Sequence, residues 1–112
     1  MSIQHKRKEA NLFMAVSQII SGEITNANIS YPTVTGVKLS TDGSHLFIYL
    51  SFESRPEKSL AALKNTIGFI KTRLSKMQGL RKVPELDLKL DKAIDEGKRI
   101  DKILKEIKSK KS

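Results

Sequence analysis

Cysteine is absent from the 112 residues, and so is tryptophan. The first absence excludes disulfides and thiolate metal sites, and it is compatible with a reducing cytosol. Aromatic side chains are scarce, four Phe and two Tyr, so the core must be built from Leu, Ile and Val. No run approaches the roughly 18–20 apolar residues that span a bilayer. The first residues, through Lys6-Arg7-Lys8-Glu9, lack the unbroken apolar stretch of a secretory signal. The expectation is a soluble, cytoplasmic protein with no membrane association. Walker, dinucleotide and zinc spacings are missing. The two histidines, His5 and His45, are far apart. Ser40, Asp42 and His45 are triad residue types, yet they crowd one turn. Glu85, Asp87 and Asp91 alternate with leucines as the solvated face of a strand. The chain is therefore read as no enzyme, with no cofactor and no metal.

Acids are also in deficit, 12 against 21 Lys and Arg, for a net charge of +9. The distribution matters more than the sum. Residues 55–82 carry eight cations and one acid, net +7, and residues 98–112 carry seven cations and two acids, net +5. Residues 11–54 and 83–97 are net negative, at −2 and −3. A concentrated basic block points to a polyanionic partner, with nucleic acid foremost.

Length allows one domain with one modest core. Leu12, Val16, Ile19 and Ile20 recur at helical steps from Ile3 to about Ser21, and Gly22 supplies a stop. Thr33 to Phe52 reads as a β-hairpin around Thr41-Asp42-Gly43-Ser44. Val34 and Val37 are out of phase, so Gly36 marks a bulge. Ser54 caps a helix that Glu57 closes in a capping box, with Pro56 in its first turn. The stripe Leu60, Leu63, Ile67, Ile70, Leu74 and Met77 is interrupted at Gly68, where a kink or helix junction is expected, and Gly79 ends it. Leu86, Leu88 and Leu90 give a third strand over residues 84–91. Ile94, Ile100, Ile103, Leu104 and Ile107 make a short C-terminal helix. The order α-β-β-α-α-β predicts an α+β fold, KH-like of type II, with three strands and helices on one face. The domain is expected to occupy residues 1–108, with 109–112 a flexible basic tail.

Four ordered runs carry a family resemblance: Val34-Thr35-Gly36-Val37-Lys38-Leu39-Ser40, Leu46-Phe47-Ile48-Tyr49-Leu50-Ser51, Ile67-Gly68-Phe69-Ile70-Lys71, and Leu80-Arg81-Lys82-Val83-Pro84-Glu85-Leu86. Asp91 and Gly97-Lys98-Arg99-Ile100-Asp101 follow the last. Together, over residues 5–107, they resemble the ribosome-binding factor A family. The family carries an Ala-x-Gly kink between its central helices. Here Thr66-Ile67-Gly68 occupies that place, and Thr66 can bend a helix by bonding a preceding carbonyl. The GxxG loop of ordinary KH domains is missing from the family and from this chain. The resemblance implies a monomeric ribosome assembly factor for the small ribosomal subunit and its rRNA. It implies action during late maturation and rRNA processing, a part in cold adaptation, and release by a ribosome-associated GTPase. The alternatives are a general KH-like RNA-binding protein outside the ribosome and a permanent ribosomal protein.

The candidate RNA-binding residues follow from the basic block. Lys71, Arg73 and Lys76 lie along one helix whose Phe69, Ile70, Leu74 and Met77 are expected to point inward. Arg81 and Lys82 follow in its exit loop. The five are expected to form one surface able to track phosphates. Lys58 and Lys64 extend it backward, and Lys6, Arg7 and Lys8 add charge at the first helix, where cations oppose the helix dipole. Tyr31, Phe47 and Tyr49 are candidate stacking groups.

Overall fold

A computed structural model describes residues 3–91. The first helix, α1, spans Ile3–Gln18 and passes into a π-helical turn, Ile19–Glu23. Gly22 therefore does not stop the helix. The chain leaves at Ile24, whose N–H donates to Ile19 O at 3.2 Å. Ile19 and Ile20 are fully buried in this turn, so a widened turn keeps both on the core.

Strands β1 (Thr33–Leu39) and β2 (His45–Ser51) form the expected hairpin. Their register slips between Val34 and Gly36, which is the bulge the phase change predicts. Gly43 sits at φ 75°, as the turn demands. The third strand, β3 (Glu85–Leu90), pairs parallel to β2, giving a mixed sheet of order β1-β2-β3.

Two helices bridge β2 and β3: α2 (Pro56–Lys64) and α3 (Ile67–Gln78). The expected capping box does not form. Ser54 spends its hydroxyl on Ser30, at 2.9 Å, and Arg55 takes the cap position with a left-handed backbone and no side-chain cap. The helix break comes at Asn65-Thr66, two residues before Gly68. Thr66 Oγ1 donates to Leu63 O at 2.7 Å, the back-bond expected of a threonine at a kink. Gly68 has open space where a Cβ would stand, so no close backbone approach requires it. Gly79 does end α3, at φ 61°.

All helices lie on one face of the sheet. Leu46, Ile48 and Leu50 of the central strand are fully buried beneath Leu12, Val16, Leu63, Ile70 and Leu74. α1 packs on β1 and α3, and α2 lies against β3. This is the KH-like α+β order that the sequence predicts. The short C-terminal helix and the 109–112 tail lie outside the described residues.

Candidate nucleic-acid interface

The core stripe of α3 fixes where its cations go. Ile70 and Leu74 are fully buried, and Met77 is partly so. Lys71 and Lys76 lie on either side of a shallow hollow that they line with Thr72, Ser75 and Val83, Lys76 being one turn on from Arg73. Lys71 Nζ donates to both carboxylate oxygens of Glu85, each at 3.1 Å. That pair is exposed and screened by water, so a phosphate can displace it at little cost.

Arg73 falls on the opposite flank from Lys71, toward α1. Its Nε–H donates to Glu23 Oε1 at 2.6 Å. Phe69 accompanies it one turn earlier and is 46 % exposed, which corrects the inward placement expected from sequence. The reason is helical phase: Ile70, Leu74 and Met77 complete the buried stripe, leaving Phe69 on its rim beside Glu23 and Ile24. Lys71 and Arg73, two of the five expected cations, thus do not share one face.

Beyond α3, the left-handed Gly79 turns the chain outward. Leu80 N–H then donates to Ser75 O at 3.1 Å, while Ser75 Oγ donates to Leu80 O at 3.0 Å. Arg81 and Lys82 emerge from this fixed turn, Arg81 exposed and Lys82 likewise. No acid among the described residues pairs with Lys76, Arg81 or Lys82.

The remaining candidates form separate groups. Lys64 lines a hollow between α2 and the end of β3, with Tyr49, Lys89 and Asp91. Lys6, Arg7 and Lys8 lie on the first turns of α1 and are exposed. Lys8 reaches the hairpin turn, its Nζ 3.9 Å from where a Cβ on Gly43 would lie.

On the uncovered sheet face, Phe47 is already engaged. Lys89 Nζ lies 5.0 Å above its ring, and His45 stacks beside it at 6.4 Å. The hairpin turn converges on Asp42 Oδ1, which accepts from Ser44 Oγ at 2.7 Å, Ser44 N at 3.0 Å and Ser40 Oγ at 2.8 Å. The bonds from Ser44, then Ser40, hold the Asp42 carboxyl well below the usual carboxylate range. The same turn brings His45 onto the serines: its backbone N–H donates to Ser40 Oγ at 3.0 Å, and its Nδ1 lies 3.0 Å from Ser44 Oγ, so the three triad residue types are joined as turn chemistry. Among the described residues no three His, Asp or Glu side chains group to hold a metal, and no helix is long and apolar enough to cross a membrane.

Sequence reasoning misses the acids that answer the α3 cations. Glu85 reads from sequence as part of a solvated strand face. Glu23 stands fifty residues from Arg73 with no local pattern linking them.

Comparison with known proteins bears on what such a surface meets. The family model described as ribosome-binding factor A matches residues 4–104. A ribosome-binding factor A from Mycoplasmopsis agalactiae is 45 % identical over 108 residues, covering 96 % of each chain. Another, from Mycoplasmopsis pulmonis, is 36 % identical over 110 residues, covering 98 % of each. The crystal structure of ribosome-binding factor A from Thermus thermophilus superposes with a TM-score of 0.74 at 27 % identity, over 80 % of this chain and 97 % of that one. A homology model of the Thermus thermophilus factor, fitted into the cryo-EM map of a 30S–RbfA complex, gives a TM-score of 0.67 at 27 % identity, over 76 % and 92 %. With the matched family spanning the sheet, the kinked helices and the basic exit of α3, the chain belongs to the ribosome-binding factor A family.

Proposed function

We propose that this protein is a non-catalytic assembly factor that binds the small ribosomal subunit and its rRNA transiently, during late maturation and processing of the precursor rRNA. The observation that carries the reading is the likeness of its fold to the Thermus thermophilus factor fitted into a 30S complex. The charge pattern supports it. Lys71, Lys76, Arg81 and Lys82 lie along α3 and its exit, where they would meet phosphates. Lys64 and the Lys6-Arg7-Lys8 group would make outlying contacts. Arg73 is held by Glu23 and would position α3 instead of touching RNA. The protein would act as a cytoplasmic monomer folded as one domain, with a ribosome-associated GTPase promoting its release and a part in growth at low temperature.

Depletion of the protein followed by analysis of small-subunit rRNA tests this. Precursor RNA should accumulate, and the purified protein should sediment with free small subunits in a salt-sensitive way and not with complete ribosomes. A normal RNA profile would defeat the proposal. So would stoichiometric retention on mature ribosomes after high-salt washing, which marks a permanent ribosomal protein.

A further inference from the structure

Two non-glycine residues among those described have a left-handed backbone: Tyr31 at φ 38° and Arg55 at φ 47°. The conformation is costly for any residue with a Cβ, and glycine avoids the cost. Neither side chain offsets it within the described chain. Tyr31 is 78 % exposed. Arg55 is exposed and has no acid partner among the described residues. Arg55 also occupies the cap of α2, where Ser, Asp or Asn would satisfy free amides and where a cation opposes the helix dipole.

What holds both backbones is a serine clamp. Ser30 and Ser54 join hydroxyl to hydroxyl at 2.9 Å. Ser30 N–H donates at 3.0 Å to Ser59 Oγ, which is fully buried, and Ser59 Oγ donates onward to Ser54 O at 3.4 Å. Glu53 N–H donates to Ser30 O at 3.1 Å. Tyr31 and Arg55 each follow one member of the exposed hydroxyl pair by a single residue, so a cluster rooted in the buried Ser59 sets both backbones at one corner, and both residues are exposed there. Strain that the surroundings over-determine, at residues whose side chains are left in solvent, is the pattern of a ligand-binding position.

The two side chains specify the ligand. An exposed aromatic ring stacks on any base, and a guanidinium grips a phosphate through paired donors. We propose that the Tyr31–Arg55 corner binds one unpaired nucleotide of an RNA strand, the base on the Tyr31 ring and a neighbouring phosphate on Arg55. Glu53 and Glu57 flank Arg55 in the chain, so this corner is no broad cationic track. It suits a single splayed nucleotide better than a duplex backbone. The inference rests on the RNA-binding function proposed for this protein but concerns a site apart from α3.

Glycine variants separate binding from folding, because glycine relieves the backbone at both positions. Tyr31→Gly and Arg55→Gly should hold or raise the melting temperature. Each should weaken binding of a short unstructured RNA, read by fluorescence anisotropy, by about tenfold. Tyr31→Phe should bind like the parent, and a blunt RNA duplex should not distinguish the variants. Unchanged affinity of Tyr31→Gly for the unstructured RNA would overturn the proposal, and so would equal weakening toward the duplex. If an acidic peptide of matched charge competes as well as RNA, the corner is a protein-binding site and the proposal falls. Sedimentation with small subunits is measured alongside. Tyr31-dependent RNA binding without subunit binding would remove the ribosomal reading and leave this one, while subunit binding indifferent to Tyr31 with no RNA effect would do the reverse.

Discussion

Arg73 donates to Glu23 across the seam where α3 meets the π-turn that closes α1, at 2.6 Å. The second oxygen of Glu23 is buried without a hydrogen-bond partner. This makes Arg73 a structural cation, in contrast to its neighbours on α3. Arg73→Ala leaves a half-buried carboxylate with no counter-charge, which should destabilise the fold by about 1–3 kcal/mol. Urea denaturation would read this as a lower midpoint at unchanged slope. An unshifted midpoint would place the guanidinium in solvent.

The opposite outcome is expected for Lys76, Arg81 and Lys82. Each is exposed with no acid partner among the described residues. Reversal of any one to Glu should change stability by less than about 0.5 kcal/mol. It should weaken RNA or small-subunit binding and lower the slope of log affinity against log salt by about 0.7–0.9 for each phosphate that is no longer neutralised. A variant that binds less but keeps the parent slope would show that its cation touches no phosphate.

Much of this architecture is legible in the sequence because it is written in local periodicity. Alternation at Leu46, Ile48 and Leu50 and at Leu86, Leu88 and Leu90 gives two strands directly, and the phase slip at Gly36 gives the bulge. Helix ends are harder, since they depend on competitors distant in sequence. Ser54 has every local qualification for a cap, yet Ser30, brought in by the loop before β1, takes its hydroxyl. The basic block is visible as charge, but its division is not. Which cation is free and which is paired depends on Glu23 and Glu85, which arrive beside α3 only through tertiary packing.

Asp42 gives a pH test of the hairpin turn. Its carboxyl is lowered by bonds from Ser44 and Ser40, so the ionised form is the one the fold favours. A depressed folded pKa contributes stability that is fully present above the unfolded carboxylate value, about 3.9, and is lost as the pH falls from there toward the folded value. Asp42→Asn should therefore be less stable than the parent near neutrality, and the gap should narrow only in acid, below that value. Carboxyl NMR shifts followed through acid titration would show Asp42 still ionised where an ordinary exposed aspartate is half protonated. Titration at the ordinary value would mean that the serine bonds do not persist in solution.

The free edge of β1 gives the last test. Leu39 pairs with Leu46 at a position where its own N–H and C=O point away from β2. Glu9 Oε2 accepts the Leu39 N–H at 2.9 Å, and His5 Nε2 lies 3.2 Å from Leu39 O, to which it donates. His5 and Glu9 are one turn apart on α1, so a single helix face supplies both the acceptor and the donor that an edge strand lacks. Glu9→Ala leaves the Leu39 amide unsatisfied in a part-buried setting, at a cost of about 1–2 kcal/mol. Glu9→Gln keeps an acceptor oxygen of the same reach and should cost less. Hydrogen exchange separates this from a general loss of stability. The Leu39 amide should lose protection in Glu9→Ala by more than the amides of Ile48 and Leu50 on the central strand. Uniform loss across the sheet would mean that Glu9 acts through the packing of α1 and not through the strand edge.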